Sequence, residues 1–148
     1  MDTTQIILDN EHATLMYHPD TKIVHHVFHR TVQGVVFREV LNEGLEVFRK
    51  YGAHKWLSDD RMNAVLPEAD TEWAKTIWFP QVLEAGWQHW AVVVPPRAMA
   101  MLNIKEFIDT YRPFGLRAML FTDDKPALKW LELAKDQTPK TVELPVED

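Results

Sequence analysis

The sequence predicts an α/β fold in which a mixed sheet of about six strands packs against about four helices. Three observations lead to this prediction. Residues 5–30 hold three short apolar or β-branched stretches without helical periodicity, helical and strand patterns alternate from residue 32 onward, and two later strands are apolar on both faces. This order is typical of a sheet with an antiparallel N-terminal edge and a parallel core.

The N-terminal strands are predicted at 5–8, 13–17 and 22–30. The third of these stretches, KIVHHVFHR, is rich in β-branched and aromatic residues. It follows HPDTK at 18–22, a turn sequence in which proline presets φ and aspartate tolerates a tight bend. We therefore expect the second and third strands to form a hairpin.

The later part of the chain predicts alternating helices and strands. A helix is expected over 32–51, where apolar residues recur at helical spacing, and Gly52 should end it. A second helix should begin at Pro67, break or kink at Pro80 and end near Gly86. Two further helices are expected over 97–113 and from Asp123 or Asp124 onward. The intervening strands are predicted at 54–58, 89–94 and 116–121.

Length and composition predict one domain over 1–135, followed by a flexible acidic tail over 136–148. A hydrophobic content of 46% and a charged content of 26% are typical of a folded globular protein. No apolar run approaches the ~20 residues that a membrane-spanning helix needs. The N-terminus has no basic segment followed by an apolar one, so we expect a cytoplasmic protein without membrane insertion.

Several function classes are disfavoured by what the chain lacks. It has no cysteine, which excludes disulfides, thiolate metal sites and cysteine nucleophiles. A net charge of -6 with scattered basic residues disfavours nucleic-acid binding. The five glycines never cluster into a phosphate-binding loop. We expect no cofactor and no nucleic-acid partner.

The residues with catalytic or metal-binding chemistry do not form a recognisable site. Ser58 precedes two acids, and His54 lies roughly 13 Å away along the same strand, too far for a nucleophile and its base. His25 and His29 share a strand face at a similar separation, too far to hold one metal ion. No catalytic residue and no metal site are therefore predicted. An enzyme that uses Asp59 or Asp60 as a base is a third-ranked alternative.

Two candidate binding surfaces emerge from the pattern. Polar residues follow the carboxyl ends of the parallel strands, where ligands bind in open α/β sheets, and Arg30, Arg61 and Arg97 could hold an anion there. The plainer alternative is that each arginine pairs with a nearby aspartate. A kinked helix cannot bury every large side chain along one stripe, so a partner-binding surface is also predicted from Trp73, Ile77, Trp78, Phe79 and Trp87. The alternative is that all five belong to the core.

The stretch KWLSDDRMNAVLPEADTEWAKTIWFPQVLEAG, placed after a strand and a helix, resembles the STAS-like proteins of bacteria, relatives in fold of the sporulation anti-anti-sigma factor. The resemblance covers residues 5 to about 134 and implies a mixed α/β domain that regulates by binding a partner. Regulatory members carry an Asp-Ser-Ser-Gly motif with a phosphorylated serine. The matching AVLPEADTEW has neither serine nor glycine.

A phosphorylation switch is therefore not supported. Ser58 lies too early, at the strand end, and the acids around Thr71 oppose a phosphate there. Asp70 could supply a permanent negative charge instead. We expect a non-enzymatic regulatory domain that acts through an unidentified protein partner or as a homodimer. The alternative is a domain that binds an anionic small molecule or lipid, by analogy with the SEC14-type fold.

Overall fold

The computed structural model describes residues 3–136, which form a six-stranded mixed sheet with helices on both faces. The strand order across the sheet follows the chain order. The first three strands pair antiparallel, and the third to sixth pair parallel. This confirms the predicted fold class. The strands are β1 (Gln5–Asp9), β2 (Ala13–His18), β3 (Ile23–Phe28), β4 (Lys55–Asp59), β5 (His89–Val93) and β6 (Arg117–Phe121).

Six α-helical segments accompany the sheet in this part of the chain. They are α1 (Gly34–Tyr51), α2 (Glu68–Trp73), α3 (Phe79–Glu84), α4 (Pro96–Met101), α5 (Ile104–Tyr111) and α6 (Asp124–Leu133). A π-helical segment, Ala74–Trp78, joins α2 to α3 without a break, and a 3-10 turn, Arg112–Phe114, follows α5. Counted with residues 68–84 as one continuous helix, the described residues hold five helices.

The prediction of one helix over 97–113 is wrong. Leu102 adopts an extended backbone with a ψ of 149°, which ends α4. The side chain of Asn103 then accepts a hydrogen bond from the backbone N–H of Glu106 and caps α5. The apolar residues on either side keep a helical spacing, so their pattern does not reveal the interruption.

The two faces of the sheet carry different helices. On the first face, α1, the π segment and α3 pack against side chains such as Val24 and Trp56. On the second face, α6 packs against the alternate residues Ile23 and Leu57. Because successive strand residues point to opposite faces, each central strand is buried on both sides.

The predicted break at Pro80 is replaced by the π-helical segment. The backbone N–H of Phe79 bonds the carbonyl of Ala74, five residues earlier rather than four. Proline lacks an N–H, and its ring clashes with the carbonyl four residues earlier in a regular α-helix. The wider turn accommodates the proline ring, so the helix continues to Glu84.

The core on the first face is built around Trp56, which is fully buried. Its ring lies 5.0 Å from that of Trp78 and 5.7 Å from that of Phe48. Helix α1 passes directly over it at Gly44, where an added Cβ would lie 2.5 Å from the indole. As predicted, Gly52 ends α1, in the left-handed conformation with a φ of 61°.

Within residues 3–136, no helix combines the length and apolar content that crossing a bilayer requires. Of the predicted acidic tail, only Asp136 belongs to the described residues, and 137–148 lie outside them.

We expect Gly44→Ala to destabilise the protein by about 1–2 kcal/mol, because overpacking against Trp56 outweighs the gain in helix propensity. The free energy of unfolding from urea titration measures this. Asn42→Ala, at an exposed position of the same helix, is the control and should be neutral or slightly stabilising. A Gly44→Ala protein as stable as the parent would contradict the close packing of α1 on Trp56.

Candidate functional site

A cavity of about 830 Å³ opens on the first face of the sheet, between the strands and the helices. This volume lies within the range of ordinary small-molecule sites. His26, Ser58 and Trp90, on three neighbouring strands, form its floor. Phe28, at the end of β3, also lines the cavity. The walls are supplied by α1, the loop after β4, the continuous helix 68–84 and α5 with the turn that follows, through Phe37, Leu41, Asn63, Leu66, Thr71, Ala74, Lys75, Trp78, Phe79, Pro80, Leu83, Thr110, Tyr111 and Phe114.

A chain of two hydrogen bonds runs from the core to the cavity floor. The indole Nε1–H of Trp56 donates to Nδ1 of His26 at 3.0 Å. Since Nδ1 accepts this bond, the single ring proton lies on Nε2, which donates to Oδ1 of Asp60 at 2.9 Å. This arrangement requires the neutral imidazole in one tautomer. It holds the Asp60 carboxylate, whose side chain is 26% exposed, against the cavity.

Ser58, His26 and Asp60 come together at the floor, yet they do not form a hydrolytic triad. His26 and Ser58 are direct partners across β3 and β4. Both ring nitrogens of His26 are already bonded, and Oγ of Ser58 accepts the indole N–H of Trp90 at 2.9 Å. A general base needs a free lone pair directed at the nucleophile, which His26 does not have. The sequence argument against a Ser58 nucleophile measured the distance to His54 and did not identify His26 as the neighbouring histidine.

Buried side chains tie the loop and helix that flank the cavity to α1 and to the residues just before it. The Asn63 amide bonds both the N–H and the carbonyl of Val32. Asp70 is buried and accepts hydrogen bonds from the N–H of Gly34 and from Nε of Arg38. Asp70 therefore connects α2 to α1. Its negative charge, considered above as a permanent substitute for a phosphate, is already paired with Arg38.

The two candidate modification sites differ in access. Ser58 is 2% exposed, so a modifying enzyme cannot reach its hydroxyl in the folded protein. Thr71 is exposed and lies at the edge of the cavity. Burial therefore removes Ser58 from the candidate modification sites. Thr71 stays a weak candidate, because it is accessible but surrounded by acids.

The three predicted anion-binding arginines do not line the cavity. Arg61 bonds Asp59 at 2.6 Å and lies 3.5 Å from Asp124 and 3.7 Å from Asp123. The hydrogen bond that the Arg61 guanidinium donates to the Asp59 carboxylate is the main reason that the pKa of Arg61 is raised. The charge of Arg61 is thus matched by three carboxylates. This agrees with the alternative given above, in which each arginine pairs with a nearby aspartate. The other two, Arg30 and Arg97, are exposed.

Two of the five residues of the predicted aromatic partner surface, Trp78 and Trp87, are buried in the core. Trp78 and Trp87 are only 4% and 3% exposed. Their indole N–H groups donate hydrogen bonds to the backbone carbonyls of Leu41 and His89, so burial leaves neither N–H without a partner. Trp73 and Phe79 are half-buried, and Phe79 lines the cavity together with Trp78. Ile77 is the exposed member of the predicted set. The prediction is corrected accordingly for Trp78 and Trp87.

On the second face, His25 lies buried beside His18, with 3.0 Å between Nδ1 of His25 and Nε2 of His18. Nε2 of His25 has no hydrogen-bond partner among the described residues. Burial, followed by the nearby His18 and His26, lowers the pKa of His25 to about 3. In residues 3–136, no group of three or more His, Asp or Glu side chains could hold a metal ion.

Sequence reasoning missed most of the cavity lining, above all His26, Tyr111 and Phe114. One feature of the sequence does indicate part of the lining. Residues two apart on a strand share a face, so His26 and Phe28 lie on the same face of β3. Once the parallel register is known, His26 also neighbours Ser58 on β4. The contribution of α5 could not be found this way, because it depends on how the helix packs.

Comparison of the chain with protein-family models, with curated proteins and with solved structures finds no match in any of the three.

His25 should make the protein less stable as the pH falls. It stays neutral in the fold down to about pH 3, whereas in the unfolded chain it gains a proton below about pH 6.5. The unfolded state then binds more protons, so stability falls by about 1.4 kcal/mol per pH unit below that point, or about 2 kcal/mol by pH 5. Urea titrations at pH 7, 6 and 5 measure this loss.

His25→Gln should flatten this pH dependence, while His29→Gln, at an exposed position, should leave it unchanged. An equal slope in the parent and in His25→Gln would show that burial does not hold His25 neutral.

Proposed function

We propose that this chain is a non-catalytic domain that binds a small, largely apolar molecule in the cavity between the sheet, the continuous helix 68–84 and α5. The observation that carries this proposal is the cavity itself, whose volume of about 830 Å³ is walled by aromatic and aliphatic side chains around a few polar groups. Sites of this size and character are typical of small-molecule binding.

The packing of the cavity walls supports the proposal. The floor is held by fixed hydrogen bonds, since Trp90 donates to Ser58 and Trp56 orients His26. Asn63 and Asp70 anchor the flanking segments to α1. A site whose side chains are already held in place loses little conformational entropy when a ligand enters.

The absence of a catalytic role is supported by the same bonds. His26 cannot serve as a general base for Ser58, because both of its ring nitrogens are hydrogen-bonded within the described residues. Use of Asp60 as a general base stays the weaker alternative.

This proposal favours the ligand-binding alternative over the aromatic partner surface, since Trp78 and Trp87 are buried. The ligand is not held by Arg30, Arg61 and Arg97, which lie outside the cavity. Membership of the STAS-like family, a regulatory role through a protein partner or homodimer, and a cytoplasmic location stay predictions.

A neutral apolar dye, N-phenyl-1-naphthylamine, should bind with a Kd on the order of 0.1 mM, given its roughly 17 non-hydrogen atoms at about 0.3 kcal/mol each. Its fluorescence enhancement measures binding. Ala74→Phe places a ring in the cavity and should abolish the enhancement. Ala100→Phe, at an exposed position outside the lining, is the matched control and should bind like the parent.

Circular dichroism establishes that both variants are folded before the comparison is made. Dye binding that is absent in the parent, or that persists unchanged in a folded Ala74→Phe protein, would contradict the proposed function.

A further inference from the structure

We propose that the molecule bound in this cavity carries a protonated amine beside an apolar body, and that Asp60 receives the amine. This inference rests on the proposed function and specifies the ligand class. It starts from Asp60, the one carboxylate that residues 3–136 contribute to the cavity lining.

Among the described residues, no lysine or arginine forms an ion pair with the Asp60 carboxylate. Its Oδ1 accepts the Nε2–H of His26, a neutral ring, because the other ring nitrogen accepts the indole N–H of Trp56. Its Oδ2 has no hydrogen bond to any residue within 3–136. The adjacent Arg61 is engaged with Asp59, Asp123 and Asp124 instead. A carboxylate that borders an apolar cavity without a cationic partner favours a ligand that supplies one.

The walls of the same cavity suit an organic cation. Trp90 and Tyr111 have ring centroids 5.1 Å apart, and Phe79 lies 5.6 Å from both Tyr111 and Phe114. Aromatic ring faces attract ammonium groups, and the attraction is larger where water is excluded. The cavity lining therefore combines a carboxylate with aromatic rings and with apolar surface for the remainder of the ligand.

The lining gives weaker support to a ligand with an anionic head group. The cation in the lining is Lys75, which is exposed on the continuous helix 68–84. An ion pair with an exposed ammonium gains little, because water and salt screen it. Asp60 would in addition repel an anion that reached the floor.

The test compares three probes that share a body and differ in head group: 6-phenylhexylamine, 6-phenylhexan-1-ol and 6-phenylhexanoate, titrated calorimetrically at pH 7. The amine is protonated at this pH. We expect it to bind about tenfold or more tightly than the alcohol, and the alcohol more tightly than the carboxylate. This ranking of the three affinities is measured in the parent protein alone, so it does not depend on the folding of any variant.

Asp60→Asn keeps the shape of the side chain and an oxygen for His26 but removes the charge. It should reduce the affinity for the amine about tenfold, to that for the alcohol, and leave the alcohol unchanged. Glu72→Gln removes an exposed acid of α2 that does not line the cavity and should change none of the three. Lys75→Gln should not weaken amine binding.

Equal binding of amine and alcohol, or an amine affinity unchanged in Asp60→Asn, would overturn the inference while leaving the proposed function intact. Preferred binding of the carboxylate, lost in Lys75→Gln, would replace it with an anionic ligand. If none of the probes and no apolar dye binds, the proposed function fails and this inference fails with it.

Discussion

The burial of the Trp56 indole is the interaction on which the rest of this structure depends. The ring is fully buried at the centre of the sheet, and helix α1 reaches it only because Gly44 has no side chain. Trp78 and Trp87 pack against its other edges, which fixes the continuous helix 68–84 and the loop before β5. A tryptophan buried this deeply needs a partner for its N–H, and that partner is His26.

This requirement links the core to the cavity. Because its Nδ1 accepts a hydrogen bond from the indole N–H, His26 is held in one neutral tautomer, and its Nε2 can only donate. The donation goes to Asp60 and holds the carboxylate at the cavity floor. The polar chemistry of the site is thus a consequence of satisfying one buried N–H group, and it brings a negative charge to a space that is otherwise largely apolar.

Local patterns predicted the architecture well, because strand and helix periodicity and Gly52 carry most of that information. They failed where the outcome depends on distant partners. The burial of Trp78 involves the Leu41 carbonyl, 37 positions earlier in the chain. Pairing of Arg61 with the nearby Asp59 was anticipated as an alternative, but its further contacts with Asp123 and Asp124 were not. The cavity was not predictable for the same reason, since Tyr111 meets Phe79 only after both pack on the sheet. Pro80 signalled an irregular helix, yet its sequence does not distinguish a break from a π turn.

The tautomer of His26 tests this account most directly. Two-bond proton–nitrogen correlation NMR of the protein at neutral pH distinguishes a nitrogen that carries a proton from one that does not, and His26→Gln assigns the signal. The account predicts a neutral ring with its proton on Nε2 and a bare, hydrogen-bonded Nδ1. A ring protonated on Nδ1, or on both nitrogens, would contradict it, because the Trp56 bond and the unmatched charge on Asp60 could not then coexist.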